Sequence, residues 1–200
     1  MQPKPLLTQL VESLMCLPGV GRKSAQRMTY YLLDKDREGG LNLSQTLDES
    51  MLNIGNCRSC RDYTENDLCS LCMNPKRDNS LICVVESPAD ITAIESTATF
   101  SGHYFVLMGN LSPLDGIGPD EIGLTQLANK IKQQGCDEVI VATSATVEGE
   151  ATAHFIKSML ININPNIMIS RLAQGVPIGG ELEYLDSSTL SLSLANRQSI

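Results

Sequence analysis

Two cysteine pairs constrain this chain more than any other feature. Cys57-Arg58-Ser59-Cys60 is followed, eight residues on, by Cys69-Ser70-Leu71-Cys72. Each Cys-x-x-Cys knuckle presents two thiolates to one ion, and two knuckles together close a tetrahedral all-sulfur shell. Soft thiolates suit zinc, and a full shell leaves no position for a catalytic water, so the site reads as structural zinc, one per chain. An iron–sulfur cluster and a redox pair are the other uses of such cysteines. The surrounding residues 55–79 are short and polar, so bound metal would supply folding energy that a core cannot. Cys16, Cys83 and Cys136 lie in apolar contexts and read as small core residues. Seven cysteines cannot all pair within one chain. The opening MQPKPLLTQLVESLM lacks the pattern of a secretory signal, and no run of about 18–20 apolar residues spans a membrane. A cytoplasmic location is expected, where disulfides are rare.

Upstream of the cysteines, residues 6–17 carry a helical stripe of Leu6, Leu7, Leu10, Val11, Leu14 and Leu17. Leu17-Pro18-Gly19-Val20-Gly21 interrupts it, and helix resumes with Ser24 as the expected N-cap and Ala25, Met28, Tyr31 and Leu32 on one face. Gly39-Gly40 is expected to close that helix, with a further short helix over residues 41–54 turning Leu47, Met51 and Ile54 inward. A turn built on Gly19 and Gly21 can point backbone N–H groups outward, and the following helix adds its positive end. Arg22, Lys23 and Arg27 come next. The arrangement looks like a helix-hairpin-helix element that grips the DNA backbone rather than base edges; an ordinary helical corner with solvated bases is the alternative.

From residue 81 the pattern alternates. Leu81–Val85, Tyr104–Met108, Val139–Ala142 and Ile167–Ser170 suit buried strands, with helices expected over Pro88–Ser96, Asp120–Gln134 and Glu150–Leu160. That order implies a mostly parallel sheet covered by helices. Glu86 follows the first strand, where such sheets place ligands, with Asp90 one helical turn on. Glu148 and Glu150 follow the third strand. Gathered carboxylates of this kind hold Mg²⁺ in phosphoryl chemistry, serve as solvated helix starts, or form an acidic face for a basic partner. The tail carries Leu182, Leu185, Leu190, Leu192 and Leu194, apolar enough to seek a partner surface. His103 and His154 are isolated and read as packed or surface residues.

Taken together, the order of elements and the strings that carry it resemble the bacterial RecR family of recombination mediators. The carrying strings are LPGVGRKSAQRM at 17–28, CRSC and CSLC within 57–72, CVVESPADITAIE at 83–95, YFVLMGNLSPLDGIGPDEIG at 104–123, VEGEATA at 147–153 and GVPIGGELEYLD at 175–186. The resemblance implies an α/β multidomain chain: a helix-hairpin-helix DNA-binding domain at 1–54, a four-cysteine zinc finger at 55–79, and a Toprim domain, Rossmann-like with a mostly parallel sheet, at 80–174. A C-terminal Walker-B-like assembly segment occupies 175–200.

The function implied is non-enzymatic: a homo-oligomeric ring, tetrameric as the family assembles, that binds DNA at single-strand gaps and single/double-strand junctions. It acts there with RecO and RecF to load RecA, in the bacterial cytoplasm at the nucleoid. Carried over by position, the Gly19–Gly21 turn with Arg22, Lys23 and Arg27 is the DNA contact. Cys57, Cys60, Cys69 and Cys72 are the zinc ligands, and Glu86, Asp90, Glu148 and Glu150 are the RecO-docking surface. Two departures stand out: Arg22 occupies a position where many relatives have Pro, and Ser144-Ala145 replaces a common Asn-Pro. The Asp-x-Asp of catalytic Toprim enzymes is Glu148-x-Glu150 here. A Mg²⁺-dependent Toprim nuclease or primase-like enzyme remains the alternative.

The net charge of −8 argues against a protein coated for DNA, but the charge is uneven. Residues 1–40 carry +2, residues 41–80 carry −2, and residues 81–200 carry −8. A basic hairpin for phosphates and an acidic domain for a basic protein partner fit that division.

Overall fold

A computed structural model describes residues 3–173, 175–195 and 197. The chain forms two compact units, residues 1–54 and 55–200.

The first unit is helical. Helix α1 (Leu6–Leu14) and helix α2 (Arg22–Asp34) pack together as a hairpin, and helix α3 (Arg37–Asn53) packs on α2. Gly19 adopts φ +75°, a left-handed conformation in the turn that few other residues accept. Gly21, not Ser24, is the N-cap of α2, and Ser24 lies in its first turn. The glycine pair 39–40 does not end a helix. It lies inside α3, which starts two residues earlier because Asp36 caps it, its carboxylate accepting from Gly39 N at 2.8 Å. A good cap outweighs two poor helix formers. Leu47, Met51 and Ile54 are not turned inward either; all three are exposed. Cys16 is exposed rather than in a core. Among the described residues of this unit only Val11, Ala25 and Thr29 are buried.

The second unit opens with strands β1 (Gly55–Asn56) and β2 (Tyr63–Thr64), an antiparallel pair, and one short helix, α4 (Ser70–Met73). Strand β3 (Asp78–Val85), helix α5 (Pro88–Glu95), strand β4 (Gly102–Val106), helix α6 (Leu124–Gln134), strand β5 (Glu138–Ala142), helix α7 (Val147–Ile163) and strand β6 (Met168–Arg171) follow. The sheet is parallel throughout, in the order β4-β3-β5-β6. A 3₁₀ turn at Leu182–Tyr184 and helix α8 (Ser187–Ala195) complete it. Helix α6 begins at Leu124, four residues later than the sequence pattern predicts, after a left-handed Gly123.

Alternation along the strands sorts the core into two layers. Ile82, Val84, Phe105, Leu107, Val139 and Val141 face α6 and α7, meeting Leu127, Ile131, Ile156 and Leu160. Cys83, Val85, Tyr104 and Val106 face the other way, toward Ile91 of α5 and Leu71 of α4. Cys83 and Cys136 are buried, as their apolar contexts predict. Each large aliphatic side chain withdrawn from water contributes roughly 1.5–3 kcal/mol, so the sheet and its helices dominate the stability of this unit. The central strand β3 has β4 on one side and β5 on the other. Its carboxyl end is therefore a topological switch point, with the loops after β3, β4 and β5 converging there.

Candidate metal centre, strand edge and hairpin

The four cysteine sulfurs at 57, 60, 69 and 72 lie within 4.8 Å of one another. Sulfurs around a tetrahedral zinc are about 3.8 Å apart, given zinc–sulfur bonds of about 2.3 Å. The Cys60–Cys69 pair is at 3.5 Å, and Cys57, Cys60 and Cys69 are buried. Cys57 Sγ also accepts from Cys69 N at 3.3 Å, tying one knuckle to the other. The donor set and its geometry therefore fit a metal ion held by four thiolates. The thiols are unequal: the Cys60 thiol beside Cys72, with the Ser59 hydroxyl and the Lys130 charge, favours the Cys72 thiolate, while the same contact and burial push Cys60 up.

The quartet is seated on the sheet by three attachments between residues far apart in the sequence. Val106 N donates to Cys60 O at 2.8 Å, continuing the β4 edge into the knuckle. Arg61, itself at φ +68°, donates through Nη1 to Leu107 O at 3.1 Å and Ile122 O at 2.5 Å, with its guanidinium over the Phe105 ring. A Cβ at Gly123 would come within 2.1 Å of Arg61 Nη1, so the glycine makes room for this guanidinium. Lys130 Nζ donates to Ser59 O at 3.1 Å and Ser59 Oγ at 2.6 Å. A signal for Lys130 exists in the sequence: it falls on the same helical stripe as Leu127 and Ile131, an odd place for a cation.

At the strand edge, the four carboxylates are not equivalent. Glu86 Oε1 accepts from Ser144 N at 2.6 Å and, with the amide nitrogen turned inward, from Asn110 at 2.7 Å. It thus ties the loop after β4 to the loop after β5. Asp90 closes a capping box with Ser87, accepting from its amide at 2.8 Å. Glu150 pairs with Arg171 at 2.5 Å. Glu148, in the first turn of α7, is exposed, and its side chain makes no hydrogen bond or ion pair among the described residues. Among those residues the cysteine quartet is the one group of acidic, cysteine or histidine side chains close enough to share an ion. Of the three readings open for Glu86, Asp90, Glu148 and Glu150, no Mg²⁺-sized group of them is found among the described residues, and three of the four make bonds that serve local structure.

In the first unit, no side chain caps the N-terminus of α2, and Arg22, Lys23 and Arg27 are exposed. None of the three makes a side-chain hydrogen bond or ion pair among the described residues. Gly19 and Gly21 have no atom within 4 Å of an added Cβ, so the turn is open to solvent.

Family models match along this chain in order: RecR, helix-hairpin-helix over residues 7–51, a Toprim domain over 80–173, and RecR, C-terminal over 175–198. The chain belongs to the RecR family. It has the RecR helix-hairpin-helix, a four-cysteine cluster, a Toprim domain with a parallel sheet, and the RecR C-terminal domain. RecR-family domains carry a recombination-mediator role, with DNA binding and oligomerisation, and that role is non-catalytic. No described helix is long and apolar enough to cross a membrane.

Proposed function

We propose that this RecR-family chain binds DNA at single-strand gaps and single/double-strand junctions, and recruits RecO-like and RecF-like proteins that load RecA. The observation that carries this reading is the hairpin: an open Gly19–Gly21 turn, an uncapped helix N-terminus and, in its first two turns, three cations with no side-chain partner among the described residues. An uncapped helix start with adjacent bases accepts a phosphate, and several copies in a ring would add their charge around one duplex or strand. A tetrameric ring also gives the exposed apolar residues partners, among them Met51 and Leu52 in the first unit and Leu182 and Leu194 in the tail. The division into residues 1–54, 55–79, 80–174 and 175–200, structural zinc in the quartet, and a bacterial cytoplasmic setting belong to the same proposal.

RecO docking is assigned to the acidic strand edge, with Glu148 as its free carboxylate and Glu86, Asp90 and Glu150 shaping the surface around it. A Toprim nuclease or primase needs carboxylates free to gather Mg²⁺, and the bonds made by Glu86 and Asp90 oppose that use. Light-scattering mass of the purified chain, alone, with gapped DNA, and with a RecO-like protein, tests the proposal. A four-chain mass that shifts with each addition is expected. A monomer indifferent to both would overturn it.

A further inference from the structure

Lys130 is a buried cation without a visible counter-ion. Only 9% of the residue is exposed, and among the described residues no carboxylate lies within ion-pair distance of it. The cleft beside it, about 470 Å³, is lined by the carboxamides of Gln126, Asn129, Gln133 and Gln134 together with Arg58, and by no carboxylate at all. A buried ammonium left unpaired is strongly destabilising, so negative charge has to come from elsewhere. Its two hydrogen bonds lead to Ser59, the residue between Arg58 and Cys60 in the first knuckle. Ser59 in turn faces Cys72, the half-buried member of the quartet.

We infer that Lys130 is the counter-ion of the cysteine-held metal, acting through Ser59 and holding the Toprim helix α6 to the metal module by charge. The inference rests on reading the quartet as a zinc site. Zinc with four thiolates carries two net negative charges, and Cys72 is the sulfur on the side of Ser59 and Lys130. The ammonium neutralises part of that charge at short range in a desolvated place, while the Ser59 hydroxyl bridges the two. Lys130 is thus a positioning residue: it orders the first knuckle, and the metal in return makes burial of the ammonium favourable. Outer partners of this kind alter metal affinity by about 10–100-fold.

The test compares Lys130→Met, which keeps the length and removes the charge, with Lys130→Arg, which keeps the charge. Zinc content of the unmodified chain is measured first; absence of zinc there would remove the metal reading itself, separately from the role of Lys130. Transfer of zinc to a chromogenic chelator is then followed in the full chain. The inference expects Lys130→Met to release zinc at least about tenfold faster than the unmodified chain, with Lys130→Arg close to it. Equal release from both variants, whether slow or fast, would overturn it. So would weakened DNA binding by Lys130→Met with unchanged zinc release, which would make an external phosphate the counter-ion. Ser59→Ala gives a second route should Lys130→Met fail to fold. Its release should be faster by a few-fold, and unchanged release would contradict the bridge.

Discussion

Arg22, Lys23 and Arg27 in the helical unit make no side-chain bond within the described residues, whereas Glu86, Asp90 and Glu150 at the strand edge each make one or more. The two charged regions therefore play different parts. Charges with no internal partner contribute little to folding and are available to a ligand. Charges already bonded hold loops and helix ends in place, and a ligand can use them only by competing with the fold. The difference divides the predicted effects of substitution into losses of binding and losses of stability.

The largest effect is expected from removing the metal. Structural zinc supplies a large share of the folding energy of such small modules. Treatment with a chelator should expose the amides of residues 57–61 and of Val106 to hydrogen exchange, since Val106 N bonds to Cys60 O, while exchange in α1 and α2 stays as before. Equal loosening of both units would show that the metal does not stabilise residues 55–79 selectively.

Next in size is Glu86→Ala, which leaves Ser144 N and the Asn110 amide without their acceptor. A cost of about 2–3 kcal/mol in urea unfolding is expected. A cost below about 0.5 kcal/mol, the range of an ordinary surface change, would return Glu86 to the class of free docking residues. Asp90→Ala should cost about 1 kcal/mol through the lost capping box. Glu148→Lys belongs to the other class: stability within about 0.5 kcal/mol of the unmodified chain, and loss of RecO-like partner in a pull-down. An intact complex would remove Glu148 from the docking surface.

The smallest effect distinguishes the open unit from the packed one by its thiols. Burial pushes the Cys83 thiol up to about 12, so it stays protonated and unreactive at pH 8, while Cys16 is exposed. Ellman's reagent followed by peptide mass mapping should find Cys16 modified first, and Cys83 only after unfolding. Simultaneous labelling would show that the sheet is less tightly closed than its packing implies.

What the sequence made legible follows the same division. The four sheet strands are apolar runs bounded by turns, and such runs are visible in the local sequence, although β6, expected to be buried, lies at an edge of the sheet and carries no fully buried residue. The quartet and the basic hairpin are local in sequence, so spacing alone locates them. Helix α3 was harder, since Gly39-Gly40 signals a break and the Asp36 cap that overrides it is a single residue. The inward placement expected for Leu47, Met51 and Ile54 failed for a different reason. Periodicity tells which residues share a face, and only the assembled structure tells whether anything covers that face. Arg61, Lys130 and the partners of Glu86 are long-range contacts, 46 or more residues apart for Arg61 with Leu107, Lys130 with Ser59, and Glu86 with Ser144. No local pattern encodes them, although a lysine on the apolar stripe of α6 was a visible clue.

On the function proposed above, the free cations of the hairpin hold DNA and contribute nothing to the fold. Affinity for gapped DNA, measured across a range of salt concentrations, tests it most directly when the chain carrying both Lys23→Ala and Arg27→Ala is set beside the unmodified one. Binding weakened about tenfold or more at low salt, a salt dependence shallower by up to about two counterions per chain, and unchanged unfolding in urea are expected. Unaltered affinity and slope, or a loss of binding that simply follows a loss of stability, would contradict it.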